Sequence, residues 1–178
     1  MSKEVSSQLD RLVELRHAFD RTFQLPYQLA TKSMEPMIAF RTAGVALAVR
    51  VQHITRVIKR GVILPVPSIV PELLGVAAVR GLLVPVFNLA ALLGLPPSGE
   101  PQWFLLVNRE TPVAFAFDGL EGRVEVEQAH LYVDETSSQC KHIHQLAEVG
   151  STVRAVIDIR GLMEEIGQCA GLTTPAKE

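Results

Sequence analysis

The chain has 178 residues, 48% of them hydrophobic and 20% charged, which is enough apolar content for a full core and too little charge for a disordered chain. Its formal net charge of −2 lacks the basic excess that a nucleic-acid-binding surface needs, so no nucleic-acid partner is expected. Two cysteines, Cys140 and Cys169, fit a reducing compartment; the charged start MSKEVSSQLDRLVEL is not a signal peptide; and no apolar run reaches the roughly 18–20 residues that span a bilayer. The expectation is a cytoplasmic protein with no direct membrane insertion.

Residues 7–23 carry an apolar stripe of Leu9, Leu12, Val13, Leu15, Phe19 and Phe23 after a cap-like Ser7 and Asp10, which predicts an amphipathic helix ended by Pro26. It either packs onto the domain or binds a partner. Residues 1–30 are read as this helix and its linker, 31–166 as the folded domain and 167–178 as a tail, with the segment before Pro36 a linker or surface strap. From Met37 the texture turns to strands. Residues 37–41 and 45–49 flank Thr42-Ala43-Gly44, a hairpin with glycine at the turn. Val51-Gln52-His53-Ile54 and Val57-Ile58 continue the strand pattern until Gly61. Pro65, Pro67 and Pro71 then space an irregular connection, and residues 71–74 read as one helical turn with proline first.

The stretch GVAAVRGLLVPVFNLAALLG, residues 75–94, predicts two strands (75–79 and 82–87) joined at Arg80-Gly81. Asn88 should cap a short helix over 89–93 that stops at Gly94. Arg80 is either a solvated turn residue or a contact residue. A second hairpin pairs 103–108 with 112–117 across Arg109-Glu110-Thr111, and Asp118-Gly119 marks a turn. Residues 124–133 alternate loosely and 134–139 form a polar loop. Strands at 141–149 and 153–157 pair across Gly150-Ser151-Thr152, and a last helix covers 159–166. With about nine or ten short strands and few helices, the fold class is all-β, a barrel or a pair of barrels. No repeat at a fixed period is evident.

Phosphate-binding glycine loops, zinc-protease helices and nucleophile elbows are absent, so an enzyme would have to assemble its site from scattered residues. Asp118, Asp134 and Asp158 sit at turns or strand ends, where carboxylates cap backbone N–H groups. Arg56, Lys59 and Arg60 form a small basic cluster of the kind found at a solvated strand end. One metal candidate exists: on a strand, Cys140, His142 and His144 would share a face. Same-face neighbours there are about 7 Å apart, too spread for one tetrahedral ion without a kink, and no fourth ligand is signposted beyond His130 or Glu148. The other reading is an exposed polar strand face. His17 and His53 are isolated.

The stretch Gly75-Val76-Ala77-Ala78-Val79-Arg80-Gly81-Leu82-Leu83-Val84-Pro85-Val86-Phe87-Asn88-Leu89 resembles the core signature G-V-x-N-L-R-G-x-x-x-P-V-x-D-L of the CheW family, the coupling proteins of bacterial chemosensory arrays. Pro71-Glu72-Leu73-Leu74-Gly75 is similar to the family's P-x-x-L-G approach, and Val51-Gln52-His53-Ile54 to its V-x-E-I segment. Phe117-Asp118-Gly119-Leu120 is similar to V-D-x-V, and residues 156–162 to the closing L-L-D-I-x-x-L. The set runs in order over about residues 37–166. Departures stand at Ala78 for the family's Asn, Asn88 for its Asp and His53 for its Glu.

The resemblance implies two packed, Src-homology-3-like, five-stranded barrels with no catalytic activity and no cofactor. It implies two partners, the cytoplasmic tip of a methyl-accepting chemoreceptor and the regulatory domain of a CheA-type histidine kinase, with recruitment to membrane-receptor arrays. By the same resemblance the contact surface includes Arg80, Val79, Gly81, Ile54 and His53, and the departures leave open a non-flagellar array such as that of a twitching pilus. A ligand- or metal-sensing module on the same fold, using Cys140, His142 and His144, is the competing reading.

Overall fold

The structure, a computed structural model, describes residues 33–96, 99–133 and 140–169; the helix expected over 7–23, the loop at 134–139 and the tail beyond 169 lie outside these residues. Twelve strands run in chain order: β1 (Met34–Thr42), β2 (Val45–Arg50), β3 (Arg56–Lys59), β4 (Ile63–Leu64), β5 (Leu73–Val79), β6 (Leu82–Asn88), β7 (Trp103–Val107), β8 (Val113–Phe117), β9 (Gly119–Glu127), β10 (Leu131–Val133), β11 (Ile143–Val149) and β12 (Thr152–Ile157). Helix α1 (Leu89–Leu92) follows β6 and α2 (Ile159–Cys169) follows β12.

Two sheets form, in the orders β10-β11-β12-β2-β1-β9 and β3-β7-β8-β6-β5-β4. The end strands of each sheet, β9 with β10 and β3 with β4, are consecutive in the chain. Each such pair is an interrupted strand, so counting it once gives five strands to each barrel. The first barrel is built from β1, β2 and β9–β12, the second from β3–β8.

Side-chain alternation explains how the barrels meet. On β8, Ala114 and Ala116 enter the interior of the second barrel with Ala77, Val84, Val86, Phe104 and Leu106, while Val113, Phe115 and Phe117 face the other way. On β12, Val156 enters the first barrel with Met37, Ala48, Val126 and Ala147, and Ile157 faces out of it. The outward sets merge into one seam: Phe40, Leu47 and Val49 from one sheet meet Phe87, Leu105, Phe115 and Phe117 from the other, and Leu89, Leu92, Ile159 and Leu162 of the helices join them. The rings of Phe40 and Phe117 meet across the seam at a centroid distance of 4.8 Å. All five residues of β8 are therefore buried.

The chain is a duplication whose halves exchange strands. β1–β2 belongs to the first barrel, then β3–β6 and α1 to the second; β7–β8 belongs to the second, then β9–β12 and α2 to the first. Each barrel is joined by one parallel pairing, β12 with β2 and β6 with β8. The second half repeats the first at a spacing of 70 residues over the hairpin and helix. Ala77 opposes Val84 where Ala147 opposes Arg154, and Val79 opposes Leu82 where Val149 opposes Thr152. Asn88 N–H donates to Glu72 O at 2.8 Å and Asp158 N–H to His142 O at 2.9 Å, the same bond in each half. No repeat was expected, because only scattered residues such as Val79 and Val149 are identical; the repeat lies in register.

Several expectations need correction. Residues 51–53 form a 3-10 turn, not a strand, because the chain must leave the first barrel there to start β3 in the second. Residues 71–72 make a turn and β5 begins at Leu73, so no helical turn forms. Residues 34–36 are the start of β1 rather than a strap. A short β4 precedes the proline-spaced connection, β9 begins at Gly119 directly after Asp118, β11 begins only at Ile143, and α2 continues through Cys169. Asn88 caps α1 as expected, its Oδ1 accepting from Ala91 N–H at 3.3 Å.

Gly75 shows why the signature opens on glycine. Its φ is +142°, and a Cβ there would lie 2.2 Å from Leu64 O and 2.9 Å from Pro65 Cα, both backbone atoms of β4 and its exit. A side chain would push β4 off β5 and open the barrel. Gly75→Ala should lower stability by at least about 2 kcal/mol, a drop of roughly 5 °C or more in Tm. A thermal melt within about 1 °C of wild type would refute this close approach.

Candidate functional site

The topology collects one set of side chains at one end of the second barrel. Because β6 and β8 run parallel, the turns that precede them, 80–81 and 108–112, lie at the same end. β3 runs antiparallel to β7 and pairs Arg56 with Leu106, which brings the start of β3 to that end too. Between them lies a cleft of about 220 Å³ with an apolar floor of Val79, Leu82, Val84, Leu106 and Pro112. Arg56, Arg80 and Arg109 rim it, and no acidic side chain lines it. All three guanidinium groups are exposed and have no hydrogen-bonding or ion-pair partner among the described residues.

Arg80 and Gly81 form a two-residue turn with both residues at positive φ, +51° and +83°, the geometry that matches the twist of a hairpin. Glycine at 81 meets this at no steric cost. Arginine at 80 does not, since its Cβ crowds the carbonyl in the left-handed region, at a cost of order 1 kcal/mol. A charged side chain is thus held where asparagine or glycine would fold more easily, and its guanidinium is presented to solvent beside the cleft.

The five expected contact residues are divided. Val79, Arg80 and Gly81 lie together at the cleft, with Val79 and Arg80 lining it. Ile54 instead packs against the inter-barrel seam, and His53 lies within electrostatic reach of Arg50, Arg160, Asp158 and Glu35. Nothing local in the sequence places Arg109 and Leu106 at the cleft, because the β6–β8 and β7–β8 pairings bring them to Arg80; Arg56 of the basic cluster lines it too.

The supposed Cys140–His142–His144 face does not form. Lys141 and His142 make a turn, with His142 at φ +59°, so the three residues do not alternate along one strand. Cys140 packs against the seam; His142 hydrogen-bonds Glu165 of α2, which Lys141 Nζ also reaches at 3.1 Å; His144 lines a separate open cavity of about 340 Å³ with Arg50, Gln145 and Asp158. Among the described residues no three of His, Cys, Asp or Glu converge on a possible metal position.

Arg80→Asn relieves the left-handed strain, so it should leave stability unchanged or raise it by up to about 1 kcal/mol in a denaturant titration; a clear loss would make the guanidinium structural. Burial, then Arg50 and Arg160, hold the His53 imidazole below its ordinary pKa of 6.5. The unfolded chain therefore binds its proton first as pH falls, and the stability present above pH 6.5 is lost below it. His53→Gln should flatten the decline in Tm on acidification from pH 6.5 downward; an unchanged pH profile would contradict that environment.

Comparison with known proteins agrees with the architecture. A solved scaffolding protein, the CheW of Thermoanaerobacter tengcongensis, superposes with a TM-score of 0.66 at 15% identity, covering 73% of this chain and 92% of that one. The chemotaxis protein CheW of Thermotoga maritima is 29% identical over 140 residues, 77% of this chain and 92% of the relative. The CheW-like domain family matches residues 36–167, from the start of β1 to the body of α2 and so through both barrels: this chain belongs to the CheW-like family.

Proposed function

We propose that this chain is a non-catalytic adaptor of a chemosensory array, coupling the cytoplasmic tip of a chemoreceptor to the regulatory domain of a CheA-type histidine kinase. The match to the CheW-like family over residues 36–167 carries the reading. That family is one of scaffolds and adaptors without catalytic activity. An adaptor works through exposed contact surfaces on a rigid body, and the arginine-rimmed cleft at the end of the second barrel is such a surface. Among the described residues no helix is long and apolar enough to cross a membrane; in this reading the chain is placed at a receptor array by its partners.

Purified full-length chain should capture both a chemoreceptor signalling domain and a CheA-type kinase regulatory domain, and should alter kinase autophosphorylation when all three are mixed. Arg80→Glu should weaken capture of at least one of them by roughly tenfold or more with Tm nearly unchanged. Failure of the wild-type chain to bind either domain would overturn the adaptor reading.

A further inference from the structure

A second cavity, of about 340 Å³, opens where β2 and β12 end in the first barrel, and it is lined by Arg50, Val133, His144, Gln145, Val156 and Asp158. The parallel pairing of β12 with β2 matches Val156 with Ala48, so Arg50 and Asp158, each two residues further on, come side by side as the strands finish. They do not pair with each other. Arg50 Nε donates to Glu35 Oε1 at 2.5 Å and Nη2 donates to Gln145 Oε1, which leaves Nη1 without a partner among the described residues. Asp158 Oδ1 accepts from the backbone N–H of Arg160 at 3.0 Å, and the carboxylate has no ion pair among the described residues. A guanidinium edge and a carboxylate therefore face one cavity without cancelling. The duplication shows that the fold does not require them. At the 70-residue spacing His144 falls on Leu74, Gln145 on Gly75, Val156 on Val86 and Asp158 on Asn88. By the two parallel pairings Arg50 falls on Ala116. The second barrel is thus apolar at this end, and Asn88 caps its helix without a charge.

We infer that this cavity binds a small zwitterion of the α-amino-acid class with a short aliphatic body, its carboxylate on Arg50 Nη1 and its ammonium on Asp158. The choice of ligand rests on the charges. Glu35 offsets the charge of Arg50, so a carboxylate alone would meet the uncompensated Asp158. An ammonium alone would satisfy Asp158 and leave the Arg50 donors unfilled. A molecule carrying both groups fills both, and charge-assisted bonds of this kind are the stronger ones. Buried Val156 and exposed Val133 supply an apolar wall for the body, and the volume stands at the lower end of the range for small-molecule sites, which limits that body to a few carbons. Gln145 holds the guanidinium in place from β11, and His144 offers a further polar group on the lining. The assignment goes beyond the adaptor reading and does not rest on it, because it concerns the chain alone.

The test uses the full chain labelled with 15N and three probes, each titrated to about 10 mM. They are leucine, 4-methylpentanoate, which is leucine without its ammonium, and 3-methylbutylamine, which is leucine without its carboxylate. Leucine should shift the backbone amides of His144 and Gln145 and the side-chain amide of Gln145 saturably, and leave Gly81 and Gly150 unmoved. Each half-ligand should bind at least roughly tenfold more weakly. Asp158→Asn keeps an oxygen that can cap α2, as Asn88 caps α1, and removes the charge. It should weaken leucine binding by roughly tenfold or more with Tm nearly unchanged, while Arg123→Glu, at an exposed arginine on β9, should change it by less than about twofold. The assignment is overturned by any of four results: no saturable shift with leucine, shifts centred on the 80–81 or 150–151 turn, a half-ligand that binds as tightly as leucine, or Asp158→Asn binding like wild type. If Asp158→Asn does not fold, the half-ligand comparison on the wild-type chain decides alone.

Discussion

The seam between the barrels is the constraint on which the rest depends. The interior of each barrel is small, lined by residues such as Ala48 and Ala147 in one and Ala77, Ala114 and Ala116 in the other. Cores of that size stabilise small domains only marginally. The large side chains, Phe40, Leu47, Phe87, Leu105, Phe115 and Phe117, are spent on the surface where the barrels meet, with both helices packed against it. The alternation of small and large along β8, Val113-Ala114-Phe115-Ala116-Phe117, distributes the two cores by strand geometry alone. Neither barrel is a separable unit, because each borrows strands from the other half of the chain and its heaviest apolar packing from the other barrel.

Strand exchange also determines where recognition surfaces can arise. Each half of the chain crosses once between barrels, after β2 and after β8, and each barrel is completed by a parallel pairing between a hairpin from one half and a hairpin from the other. Turns far apart in sequence, such as 80–81 and 108–112, are thereby fixed side by side on strands that cannot slide without exposing the seam. A duplicated scaffold offers two equivalent ends, and divergence has treated them differently: one carries Val84 beneath free arginines, the other a buried Arg154 neutralised by Glu121.

Legibility in the sequence followed the range of the interaction. Hairpins with local turn chemistry were readable: Ala43-Gly44, Arg80-Gly81 and the Asn88 cap stand where the residues place them. The family signature was readable because it is contiguous through β5, β6 and α1, and Gly75 in it has a single physical cause, the approach of Leu64. Elements set by the crossing were not. Val51-Gln52-His53 has a strand's texture, yet the chain must turn there, and Cys140 to His144 looks like a polar strand face although a left-handed His142 splits it. Arg56 and Arg109 carry no local sign that they stand beside Arg80, since only the β3–β7 and β6–β8 pairings bring them there.

The most direct measurement of the central claim, that this two-barrel chain works by binding partners, is amide hydrogen exchange on the full chain with and without a chemoreceptor signalling domain. The account predicts added protection at the 80–81 and 108–112 turns that flank the arginine-rimmed cleft. Unchanged exchange throughout the chain would contradict it.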